Sequence, residues 1–304
     1  MFLYRGNLRN PRSLRMPYIG VFVFVAFLMC WPATTSAKEA KTGSRFAKFD
    51  RMRVHYVSYG EGSDALVFVH GWTCDQSFWR GQTPAFKDKT RVILIDLPGH
   101  GLSDKPKIVY NMDLFARAVE AVLRDSNVNR AVLVGHSMGT PVIRQFYRKY
   151  PEKTIALVIV DGSLRPFPDK AAAEKFFEPL RGPNYPLAAE RMVDSMLQSM
   201  ADPTLRGEIK AVMLRTPQYV AVSAMDGMLD EGIWQQDKIN VPTLALMAQS
   251  SNWAEDNEPF DRGIAPNLDY QTWPGVSHFL MLEKPKEFNE ALSAFLIKIG
   301  FLKK

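Results

Sequence analysis

The chain has 304 residues, 46% of them hydrophobic and 23% charged, a globular balance that excludes wholesale disorder and fibrous low-complexity structure. Its formal charge of +6 is concentrated at the start, because residues 1–37 hold Arg5, Arg9, Arg12 and Arg15 and no acidic side chain. Setting those four aside leaves 34 of the 38 basic residues against 32 acidic ones, too small an excess to support nucleic-acid binding.

The basic segment ends at Arg15, the apolar run Ile19–Cys30 follows, and small residues appear at Thr35 and Ala37. That order is the one of a secretory signal peptide, and the run is shorter than the ~18 residues of a spanning helix. Export to the periplasm or outside the cell, with cleavage after Ala37, is therefore expected, and an uncleaved membrane anchor is the alternative. Bulky Leu28 and Met29 argue against lipid attachment at Cys30. Cleavage would leave Cys74 alone, so no internal disulfide is expected, and a chain this long can bury an adequate core without one. The intact mass of protein from the producing cell should lack residues 1–37. A soluble species that keeps them would overturn the expectation, and a membrane-bound one would indicate the anchor.

From Phe46 onward, short apolar runs alternate with helical patterns, the signature of a mostly parallel sheet with helices on both faces. Residues 46–49 and 53–59 read as an opening hairpin around a turn at Asp50. Ala65–Val69, Arg91–Ile95, Ala131–Val134, Ile155–Val160 and Thr243–Met247 are continuous apolar runs, as expected of strands covered on both faces, and Leu268–Trp273 reads as a last strand. Asp113–Arg124, Thr140–Lys149 and Pro285–Ile299 carry helical spacing. The alternation breaks between about Leu164 and Gln236, a Pro-rich stretch with amphipathic, Met-rich segments. It reads as a helical cap inserted in a domain of residues 38–304, and Met192, Met196 and Met200 recur there as one helix face. These methionines are either core filler or a soft wall for an apolar substrate.

Gly135-His-Ser-Met-Gly139 follows a buried strand and opens a helix. In that setting G-x-S-x-G is a nucleophile elbow, a turn so tight that the flanking glycines are needed for room, and Ser137 is the candidate nucleophile. Among the five histidines, His278 comes late, after the last strand, and suits the Ser…acid…His order; it is the candidate general base. His136, next to the nucleophile, should point away from the hydroxyl, and His55, His70 and His100 lie in earlier loops or the hairpin. Backbone N–H groups of Met138 and of Trp72 are the candidates for an oxyanion hole. The Trp72 side chain either packs under the cap or meets substrate. Cys74 reads as a buried, inert thiol.

His70-Gly-Trp, Asp96-Leu-Pro-Gly-His-Gly-Leu-Ser-Asp104, the elbow, and Pro274-Gly-Val-Ser-His-Phe together resemble the α/β-hydrolase fold superfamily over residues 46–163 and 240–300. The resemblance implies an eight-stranded sheet, a lid, and a Ser–His–acid triad that uses no metal and no organic cofactor. Serine rather than aspartate at the elbow argues against the epoxide-hydrolase and dehalogenase branches. One departure matters. The superfamily usually places its acid just after the seventh strand, where this chain has Ser250 and Ser251. Asp161, ending the sixth strand, is one alternative; Asp256 or Glu255 reaching back is another; a site with no acid is a third. Asp96 and Asp104 precede the serine and read as loop braces.

The expected activity is that of a serine hydrolase of the carboxylesterase or lactonase kind, with a small-molecule ester or lactone as partner and no nucleic acid. Carbon–carbon hydrolysis or perhydrolysis at the same site is an alternative within the fold. A weakly catalytic or non-catalytic ligand-binding protein is the alternative outside enzyme chemistry. Fold analogy alone does not set the substrate.

Overall fold

A computed structural model describes residues 43–249 and 257–303. The leader, Ser250, Ser251, Glu255 and Asp256 lie outside the described residues. Among those described, no helix is long and apolar enough to cross a membrane.

Strands β1 (Gly43–Phe49), β2 (Met52–Tyr59), β3 (Asp64–Val69), β4 (Arg91–Ile95), β5 (Arg130–His136), β6 (Thr154–Val160), β7 (Thr243–Ala248) and β8 (Leu268–Trp273) form one sheet in the order β1-β2-β4-β3-β5-β6-β7-β8. The β1–β2 hairpin closes with Phe49 opposite Met52, β2 runs antiparallel to β4, and every later pairing is parallel. The apolar runs become the strands because each residue of Ala65–Val69 and of β7 is buried, a demand that only a sheet covered on both faces imposes. Helices cover those faces: α1 (Thr83–Phe86), α2 (Met112–Asp125) and α3 (Gly139–Lys149) in the first half, then α8 (Asn257–Ile264), α9 (Leu280–Glu283) and α10 (Pro285–Lys298) in the second. Helix α2 starts where Asn111 accepts a hydrogen bond from the Leu114 N–H at 2.8 Å, and α10 starts at Pro285, whose missing N–H costs nothing in a first turn.

Strand order reverses at β3, with β4 on one side and β5 on the other. Ligands of open parallel sheets collect at the carboxyl ends of strands beside such a reversal. Register brings the relevant loops together there. Val69 pairs with Gly135, His136 with Val160, and Val160 with Leu246, so the residues that follow β3, β5 and β6 leave the sheet side by side.

Between β6 and β7 the chain forms α4 (Lys170–Phe177), a 3-10 turn at Glu178–Arg181, α5 (Tyr185–Met196), α6 (Pro203–Met213) and α7 (Gln218–Leu229). Long-range bonds tie this insertion to the loops at the strand ends: the Trp72 indole donates to Ala221 O, Thr216 Oγ1 donates to Thr73 O, and the Tyr110 N–H donates to Ser223 Oγ. One expectation is corrected here. Met192, Met196 and Met200 do not share a helix face, because α5 ends at Met196. The chain turns there, the Met200 N–H bonding to Leu197 O, before Asp202 caps α6. Met200 is buried within the insertion.

Candidate active site

The elbow is a tight crossing of β5 and α3. A Cβ on Gly135 would stand 2.4 Å from Gly139 O, and one on Gly139 would stand 2.6 Å from Val69 O, so neither position has room for a side chain. Ser137, between them, holds φ +52°, a left-handed conformation that costs a non-glycine residue about 1–3 kcal/mol. Its backbone is clamped on both sides. The Ser137 N–H donates to Val160 O at 2.9 Å, and Ser137 O accepts from the Thr140 N–H at 2.9 Å. The strain persists because sheet and helix over-determine the turn.

Asp161 is the residue after β6 and also holds a positive φ, +42°. Its N–H donates to Leu246 O at 2.9 Å, and its carboxylate Oδ1 accepts from the Ala248 N–H at 2.8 Å. Oδ2 is left facing His278, whose Nδ1 lies 2.6 Å away. Asp161 is 2% exposed, so this charge-assisted bond has little competition from water. An Nδ1 bonded to a carboxylate carries the proton, which leaves Nε2 of the neutral ring as a base. Of the candidate acids, Asp161 is the one that the structure brings to His278; the loop with Glu255 and Asp256 is not described.

His278 is held from three directions. The Ser277 N–H and Oγ both donate to Glu283 Oε1, fixing the approach to the ring. Asp161 holds Nδ1. The His278 carbonyl accepts from His136 Nε2 at 2.9 Å, and the two imidazoles meet at a tilt of 47° with centroids 4.6 Å apart. Burial, and then the neighbouring His278 charge, push the His136 pKa well below the usual histidine value, so that ring stays neutral. The bond of His136 to His278 was not foreseen, since nothing local in Gly-His-Ser signals a partner 142 residues away.

The loop after β3 lies against the elbow: a Cβ on Gly71 would stand 3.1 Å from Ser137 Cβ. Trp72 follows in that loop, and Met138 stands at the N-terminal end of α3. The Trp72 indole is buried and donates to Ala221 O at 2.8 Å, so its side chain packs under α7. Cys74 is buried in the same loop, and burial pushes its thiol well above the usual range, away from reactivity. The other histidines and acids brace loops. Asp96 accepts from His55 Nδ1 at 2.7 Å and from the N–H groups of Gln76 and Leu102, while Asp104 pairs with Arg53 at 3.0 Å. His70 Nε2 accepts from the Leu97 N–H, and burial lowers His100 to about 3.

Ser137, Asp161 and His278 open into one cavity of about 440 Å³. Its apolar wall includes Phe167, Phe176, Phe177, Met192, Met196, Met225 and Met228. Thus two of the three methionines singled out earlier do face the site, joined by two from α7, and Met200 does not. A smaller adjoining pocket of about 150 Å³, which Ser137 also lines, is bounded by Arg165, Trp234 and Asn257 among others. No sequence pattern marks these three, which are gathered from separate segments by tertiary packing.

The fold and sequence have known counterparts. The sequence model of the alpha/beta hydrolase family matches residues 66–291, and the chain belongs to that family. Epoxide hydrolase 1 of Caenorhabditis elegans is 31% identical over 168 residues, a match spanning 52% of this chain and 42% of that protein. The 2-hydroxy-6-oxononadienedioate/2-hydroxy-6-oxononatrienedioate hydrolase of Paraburkholderia phymatum is 27% identical and matches 81% of this chain and 91% of its own. Among solved structures, a thermophilic esterase from Thermogutta terrifontis superposes with a TM-score of 0.73 at 25% identity, covering 86% of this chain and 99% of that one.

Proposed function

We propose that this family member is a serine hydrolase that cleaves carboxylic esters or lactones of small to medium apolar acyl groups through an acyl-enzyme on Ser137. The observation that carries the reading is the 2.6 Å bond from His278 to a buried Asp161, in a cavity that Ser137 also lines. Ser137 Oγ attacks the carbonyl carbon while His278 Nε2 takes the hydroxyl proton. The N–H groups of Trp72 and Met138 hold the oxyanion. The C–O bond to the alcohol breaks, His278 returns the proton to the leaving oxygen, and water activated by the same imidazole cleaves the acyl-enzyme. A lactone follows the same path, its leaving alcohol staying tethered to the acyl group.

Residue 137 supports acyl chemistry over epoxide opening. An alkyl-ester intermediate needs a carboxylate nucleophile, and a serine stands at the elbow. The bond between Asp161 and His278 supports a catalytic reading over a non-catalytic ligand-binding protein. Carbon–carbon hydrolysis at the same serine is a second reading, favoured by the nearly full-length match to the dienedioate hydrolase. Turnover of p-nitrophenyl butyrate with an initial burst of p-nitrophenol would support the ester reading. Ester turnover at background rate, alongside cleavage of a vinylogous 1,5-diketo acid, would replace it with the second.

The methionine wall makes a further expectation specific. Met196 is half-buried, lines the cavity and closes the end of α5. Met196→Ala should move the preferred acyl chain to longer esters with little change in melting temperature. A loss of about 2–5 kcal/mol with unchanged chain preference would instead mark it as core packing.

A further inference from the structure

On the outer side of α5 lies a second depression, an open groove of about 640 Å³ between α5, the end of α4 and the turn at Glu178–Arg181. It is more than a surface dent beside the site. Phe176 of α4 and Met192 and Ser195 of α5 line both this groove and the catalytic cavity, so the two spaces adjoin across these three side chains. Its floor is apolar and left open to solvent: Phe176 is 60% and Leu187 49% exposed, and Pro179 and Ala188 lie between them. No carboxylate lines it, while Lys175 and Arg191 stand at its edge. Large exposed apolar side chains that adjoin a reaction cavity mark a binding surface rather than scatter.

We infer that this groove is a subsite for the distal part of an extended aliphatic acyl chain, whose ester carbonyl sits at Ser137. The inference rests on the serine-hydrolase reading and deepens it from small and medium acyl groups to long ones. The inner cavity takes the first carbons, Phe176 stands at the threshold, and the remaining methylenes lie on Leu187, Ala188 and Pro179. The missing carboxylates and the flanking cations leave the chain's apolar length, with or without an anionic end, as the occupant. Each methylene removed from water contributes about 0.8 kcal/mol, or about fourfold in kcat/KM when the contact persists in the transition state.

Leu187→Glu tests this without touching the catalytic residues. Leu187 is a half-exposed position on α5 that does not line the inner cavity, and Leu187→Gln repeats the test without adding charge. The kcat/KM for p-nitrophenyl butyrate should stay within about twofold of wild type. The ratio of laurate to butyrate should fall by at least about tenfold in both variants, the equivalent of two methylenes returned to water. A laurate-to-butyrate ratio unchanged in both variants, with butyrate still turned over, overturns the subsite alone. So does an effect confined to a series of alkyl butyrates, which would assign the groove to the alcohol. Wild-type protein that turns over no ester of either length overturns the subsite together with the reading beneath it.

Discussion

Replacing Ser137 by alanine is expected to lower kcat on an activated ester by about 10⁶, the loss seen when one member of a cooperating catalytic unit is removed. The residual rate would come from whatever the Trp72 and Met138 amides and the cavity still supply to a water attack. Folding should survive. The backbone clamps on residue 137 involve only its N–H and carbonyl, to Val160 and Thr140, and alanine occupies the same left-handed conformation at similar strain. A melting temperature within a few degrees of wild type would separate chemical loss from unfolding. A variant that keeps more than about one-tenth of wild-type activity would remove Ser137 from the mechanism.

Asp161→Asn is expected to lower kcat by about 10³–10⁴ with KM close to wild type. The geometry makes the direction of the loss specific. The Ala248 N–H donates to Oδ1 and demands an acceptor at that position. An asparagine will therefore place its carbonyl oxygen there and turn its NH₂ toward His278. Nδ1 then becomes the acceptor, the imidazole proton moves to Nε2, and the ring presents a donor to Ser137 where a base is needed. Packing is preserved and the tautomer is wrong. Glu255→Gln and Asp256→Asn should each stay within about threefold of wild type. A large loss in either, with Asp161→Asn nearly silent, would assign the acid to the loop after β7.

These residues also show what was legible before any coordinates. The parallel strands were readable because burial on both faces forces unbroken apolar runs such as Ala65–Val69. The elbow was readable because the pattern of two glycines flanking a serine after an apolar run is itself local, although only the contact at Gly135 lies within the motif, and Gly139 is crowded by Val69 O from another strand. His278 followed from chain order and elimination. That Asp161 stands beside His278 was out of reach, because it depends on tertiary packing that puts the Ala248 N–H on one carboxylate oxygen and His278 on the other. Periodicity misled at Met200, since i, i+4, i+8 spacing carries no information on where the helix stops, and α5 stops one turn short. The place of Trp72 under α7 rests on a bond to a carbonyl 149 residues along the chain, a distance over which sequence pattern is silent.

The covalent step is the centre of the proposed function, and peptide mass mapping after treatment with a fluorophosphonate reaches it most directly. The expected result is a single phosphonyl adduct per chain, on the peptide that contains Ser137, with activity lost in proportion to its formation and no adduct in Ser137→Ala. A chain that remains unmodified, or an adduct on another residue that tracks the loss of activity, would contradict it.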